Sequence, residues 1–143
     1  MKTITSILIL VSLIALNLSA EEGTEFNPDL NFAQVEFVKA VQSSNGNWTF
    51  YVTVRHNDEG WNHYADLWEV VDPESVETFA ERVLAHPHET EQPFLRSQSR
   101  IIFPENQCFV EVRAECQIYG FEGKTVLIDL ETEDGKDYKV ILK

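Results

Sequence analysis

From residue 32 onward, short runs of alternating apolar and polar residues recur between turn signals spaced about eight to twelve residues apart, the rhythm of an all-β sandwich or barrel. The clearest run is Trp48–His56. Trp48, Phe50, Val52 and Val54 share one face, and Thr49, Tyr51, Thr53 and Arg55 the other. Seven further runs are expected: Phe32–Gln42, Tyr64–Val71, Glu77–Ala85, Phe94–Phe103, Gln107–Tyr119, Thr125–Leu130 and Asp137–Leu142. Asn45-Gly46 between the first two runs is a strong short hairpin signal, and Asp72-Pro73-Glu74-Ser75 turns the third run into the fourth. Glu133-Asp134-Gly135 predicts a last hairpin into Asp137–Leu142. Only Glu77–Ala85 is ambiguous: its composition suits a helix, whereas its neighbours favour a strand. Seven or eight strands in this length predict an antiparallel β-sandwich of immunoglobulin-like or fibronectin III-like architecture, with Trp68 in its core.

The N-terminus breaks this rhythm. Lys2 precedes an apolar stretch over Ile7–Leu16, and Asn17-Leu18-Ser19-Ala20 offers a small residue for cleavage. Residues 1–20 read as a secretory signal peptide, because the apolar stretch is too short to span a bilayer as a helix. Residues 21–30 form an acidic lead-in, and residues 31–143 a single domain. The expected setting is secreted or periplasmic, with no membrane span in the mature chain. Formal net charge is −13, and loss of Lys2 with the leader makes it −14. A chain this acidic repels nucleic acid and anionic membrane surfaces and favours solubility, cations or a basic partner.

An oxidising compartment invites a disulfide between Cys108 and Cys116, but the spacing opposes it. The segment from Cys108 to Cys116 alternates with period two, so both sulfurs fall on the apolar face of one strand. At about 3.3 Å per residue they lie roughly 26 Å apart, far beyond bridging distance. Two buried free thiols are expected.

Strand direction sharpens the candidate chemistry. If consecutive strands alternate in direction, the end of the second run, the start of the third, the end of the fourth and the Tyr119–Gly123 loop all meet at one end of the sandwich. That brings together His56, His63, His86 and His88, which are all four histidines of the chain. Imidazoles on neighbouring loops suit copper or zinc, and His86-Pro87-His88 offers a chelating pair from one extended segment. Asp58, Glu59 and Asp66 supply nearby carboxylates. The expected ligands are His86 and His88 first, then His63 and His56. At least three imidazoles must then share one coordination sphere.

A plainer account makes these histidines hydrogen-bonded loop residues, with His56 at the core edge on the inward phase of its strand. A third uses the same loops as a recognition surface for a protein or a carbohydrate, through Trp61, Tyr64, Asp66 and Tyr119. Catalysis finds no support: the chain lacks a nucleophile elbow, a zincin motif, a phosphate loop and a dinucleotide fingerprint. A non-enzymatic binding domain is expected.

The stretches VRHNDEGWNHYADLWEVVD (54–72) and VLAHPHETEQPFLRS (83–97), followed by IIFPE (101–105) and YGFEGKTVLIDL (119–130), resemble short secreted bacterial proteins carrying a His-Pro-His loop. The resemblance spans roughly residues 46–130. It implies a periplasmic or surface-exposed setting and marks the histidine loops as its recognisable part. It supplies no activity and no catalytic residue.

Overall fold

The computed structural model describes residues 28–132 and 134–143, so the expected leader and most of the acidic lead-in lie outside the described residues. Eight strands form in sequence order: β1 (Gln34–Gln42), β2 (Trp48–Arg55), β3 (Ala65–Val71), β4 (Thr78–Val83), β5 (Phe94–Ile101), β6 (Phe109–Cys116), β7 (Val126–Asp129) and β8 (Tyr138–Ile141). Two four-stranded sheets, ordered β5-β2-β1-β8 and β4-β3-β6-β7, face each other as a β-sandwich.

The alternation along β2 is realised residue by residue. Trp48, Phe50, Val52 and Val54 are buried, and the residues between them are half-exposed. The Asn45-Gly46 turn joins β1 to β2, with Gly46 at φ 88°, where a side chain would be strained. A bulge between Val35 and Phe37 resets the phase of β1, so Val35 and Val38 both point inward while Phe37 stays outside. Core side chains come from both sheets. Trp68, Phe50, Phe94, Leu84 and Ile128 are the largest, and the rings of Trp48, Phe50, Phe79 and Phe103 meet edge-on or tilted at the far end from the histidines.

The ambiguous segment over 77–85 is a strand. β4 pairs with β3 from Leu67↔Val83 to Val71↔Thr78, and this ladder overrides the helical preference of its composition. As an edge strand it leaves half of its residues exposed and none fully buried. On the outer face of the same sheet, Arg113 reaches Glu69 through Nε at 2.7 Å and Nη2 at 2.6 Å, which lets a carboxylate lie buried.

Two expectations need correction. The chain turn near Gly135 does not make a hairpin of the last two strands. β7 extends the β3-β6 sheet, whereas β8 crosses to the opposite sheet and runs parallel to β1, from Val38↔Tyr138 to Val41↔Ile141. A Cβ on Gly135 would collide with the Tyr138 ring, so any larger residue there would force that ring to move. The second correction concerns the thiols. Both cysteines are free, but only Cys116 is buried; Cys108 precedes β6, half-exposed, where the ladder has not begun.

Asp72 shapes the β3–β4 turn. Its Oδ1 accepts from the amides of Ser75 (2.7 Å) and Glu74 (2.9 Å), and its Oδ2 from Gln107 Nε2 (2.7 Å). The Ser75 amide, then Gln107 and the Glu74 amide, hold this carboxyl down to about 2 from its ordinary 3.8. Its folded value lies below its unfolded one, so its stabilisation is complete above about pH 4 and is lost as pH falls through about 2. An NMR titration should place the Asp72 midpoint near 2, and Asp72→Asn should remove this part of the acid dependence. A midpoint near 3.8 would show that the turn does not hold the carboxylate.

Candidate functional site: a buried His, His, Cys cluster

The inward phase of β2 continues one residue past its end and seats His56 at the core edge, 1% exposed. The antiparallel ladders place its neighbours. Gln34 lies opposite Arg55, so Asn31 arrives just beyond the start of β1, and Ala65 lies opposite Cys116, so His63 arrives beside the end of β6. Between His56 and His63 the chain folds back on itself, with Glu59 N donating to His63 O (2.8 Å) and Gly60 at φ 97°.

One carboxylate ties the loops together. Asp58 Oδ1 meets His56 Nδ1 at 2.6 Å and accepts from the Ala65 amide at 3.0 Å, while Oδ2 accepts from the His88 amide at 2.6 Å. Burial alone would raise this carboxyl. The His56 hydrogen bond and the His88 and Ala65 amides outweigh it and hold the group below its ordinary value. Gln92 adds a second tie, accepting from His56 N (3.0 Å) and donating to His88 O (3.1 Å).

The four histidines therefore do gather at one end, but not in one coordination sphere. Rings of His56 and His63 meet edge-on at 4.7 Å, and those of His86 and His88 at 4.5 Å. His88 lies flat on Phe94 at 3.9 Å, and its ring nitrogens are buried without a hydrogen-bond partner. Burial, then the charges of Arg96 and His86, lowers its pKa and favours the neutral ring. Exposed His86 turns its Nδ1 to the Pro87 carbonyl at 2.9 Å. Of the expected primary ligand pair, His86 thus commits one ring nitrogen to its own loop, whereas His88 stacks on Phe94 with both ring nitrogens unpaired, and neither ring joins those of His56 and His63.

A different trio converges. One ligand atom each of His56, His63 and Cys116 lies within 4.8 Å of the others, and all three residues are buried. His63 directs Nδ1 to Glu59 Oε2 at 3.4 Å, leaving Nε2 buried and without a partner. His56 Nε2 faces Asn31 O at 2.9 Å, and Cys116 Sγ reaches the same oxygen at 3.4 Å. The Tyr119 amide donates to Cys116 Sγ at 3.4 Å. Sequence reasoning missed Cys116 because its strand phase marked it as core. The signal available was its place at the end of that strand, beside the end where the histidines gather.

The expected recognition residues divide. Trp61 is 67% exposed and packs edge-on against the half-buried Tyr64 at 5.8 Å. Tyr119, 46% exposed, covers His63 at 5.7 Å and Phe32 at 5.2 Å, so it forms the outer lid of the trio. Asp66 belongs to β3 instead; its Oδ1 is buried without a partner, and burial raises its carboxyl.

Comparison with known proteins adds one relative. The chain is 36% identical over 114 residues to a protein of Halomicrobium mukohataei described as a "Putative lipoprotein", a match covering 79% of this chain. The chain spans only about 55% of the length of that relative. No family model and no solved structure matches. Among the described residues, no helix is long and apolar enough to cross a membrane.

Proposed function

We propose that this protein is an extracytoplasmic, non-enzymatic binding domain that takes up a transition-metal ion at the histidine end of its sandwich. The observation that carries this reading is the His63 ring. Its Nε2 is buried with no hydrogen-bond partner, next to the His56 ring, while Nδ1 is oriented by a carboxylate. An unpaired buried polar atom costs about 1–3 kcal/mol, and coordination to a cation offsets that cost. A carboxylate on the far nitrogen is one of the common partners of a metal-ligating histidine, along with a backbone carbonyl or water. The extracytoplasmic setting draws support from the leader expected over residues 1–20 and from the lipoprotein name of the Halomicrobium relative.

Titrating the purified domain with Cu(II) and with Zn(II), by calorimetry and thermal melting, tests the reading. A bound ion at 100 times its Kd should stabilise the fold by about 2.7 kcal/mol. His63→Ala should weaken binding by more than the ~10–100-fold typical of losing an outer-sphere partner. The double variant His86→Ala/His88→Ala should keep the affinity. Loss of binding only in that double variant would return the site to the His-Pro-His loop. No binding of either ion would leave the exposed Trp61 and Tyr119 as a recognition surface for a protein or carbohydrate.

A further inference from the structure

We infer that the ion held at this end is copper, and that the Cys116 thiolate is a ligand beside His56 and His63, with the Asn31 carbonyl as a weak fourth donor. The inference rests on the metal-uptake reading and specifies its chemistry. Three observations place the sulfur in the coordination sphere. Its Sγ belongs to the trio whose ligand atoms lie within 4.8 Å of one another. It shares the Asn31 oxygen with His56 Nε2, at 3.4 Å and 2.9 Å, so imidazole and thiol converge on one point. The Tyr119 amide donates to Sγ at 3.4 Å, a contact that favours negative charge on sulfur.

The second, independent pointer to a ligand is His63. Its side chain is 8% exposed, and with Nδ1 turned to Glu59 the nitrogen left for the cluster is the unpartnered Nε2. The donor set then decides the metal class. A buried thiolate excludes magnesium and calcium, which take oxygen ligands. Closed structural zinc sites use four strong cysteine or histidine donors in a tetrahedron. Two imidazoles and one thiolate with a backbone oxygen as the fourth contact is instead a copper arrangement. When the ion binds, it takes the place of two protons, the S–H proton of Cys116 and the Nε2 proton that His56 shares with the Asn31 carbonyl, and both leave to solvent. No competing disulfide intervenes, because Cys108 is free and stands at the opposite end of β6.

The experiment adds Cu(II) to the anaerobic apo domain and records the visible spectrum, with parallel copper and zinc calorimetry. A thiolate ligand gives an intense thiolate-to-Cu(II) charge-transfer band, which imidazole and oxygen ligands alone do not. Cys108→Ser should keep the band, because Cys116 is then the single thiol of the chain. Cys116→Ser should abolish it and weaken copper binding by about 100-fold or more. If Cys116→Ser does not fold, the Cys108→Ser spectrum decides alone. Copper binding with no thiolate band, or unchanged affinity in Cys116→Ser, would overturn the inference and leave metal uptake standing. Zinc binding as tightly as copper would overturn the copper assignment. No binding of either ion would remove both.

Discussion

Asp58→Ala is expected to destabilise the domain by about 3–5 kcal/mol, because it removes a buried carboxylate and leaves several buried donors without an acceptor. The side chains of Asp58 and His56 are fully buried, so neither water nor salt can replace the lost carboxylate. Three donors lose their acceptor at once: His56 Nδ1, the Ala65 amide and the His88 amide. They belong to three separate stretches of chain, so the loss unfastens the whole histidine end and not a single side chain. Asp58→Asn should cost less, yet at least about 1–3 kcal/mol, because its amide nitrogen must oppose an N–H on one side or the other. Urea unfolding followed by far-UV circular dichroism measures both. A cost below about 1 kcal/mol for Asp58→Ala would show that the loops hold themselves without this carboxylate. The folded Asp58 carboxyl titrates below its ordinary 3.8, so its contribution is complete above that value and disappears as pH falls through the folded one.

The second large effect is in the core. Trp68→Ala should cost about 3–5 kcal/mol, a large share of the roughly 5–15 kcal/mol that stabilises a domain of this kind. Trp68 is fully buried on the central strand β3, between β4 and β6, and no loop can collapse into the space it leaves. Its indole Nε1 has no hydrogen-bond partner. Trp68→Phe therefore removes an unpaired donor while it leaves a smaller void, and it should cost about 1 kcal/mol or less. A cost for Trp68→Phe close to that of Trp68→Ala would mean that the N–H contributes more than the ring volume.

Comparing these two sites shows how differently they were written into the chain. Trp68 was legible because a tryptophan in the third strand run suits the core position common in sandwiches of this class, and the runs themselves follow from local alternation. The strands other than β4 were legible from the same alternation, and so was the convergence of four histidines, since alternating strand direction decides which loops share an end. Which histidines would touch was not legible. His56 and His63 meet because the 57–62 loop folds back at Gly60, while His88 lies against Phe94 and is held by Asp58. His86-Pro87-His88 carried the more familiar ligand spacing, but spacing along an extended segment says nothing of what each ring packs against.

By itself the amino-acid sequence determined the sandwich class, most strand positions, the free thiols and the end at which the histidines collect. All of these depend on periodicity or strand direction, which act over a few residues. Only the tertiary structure decided that β8 leaves its expected partner for β1, that β4 is a strand, and that Cys116 joins the histidines. The strand state of β4 depends on its ladder with the preceding β3, and the other two depend on which surfaces meet across a long separation in sequence: Asn31 and Cys116 are 85 residues apart, and their contact exists only once both sheets have closed on one core.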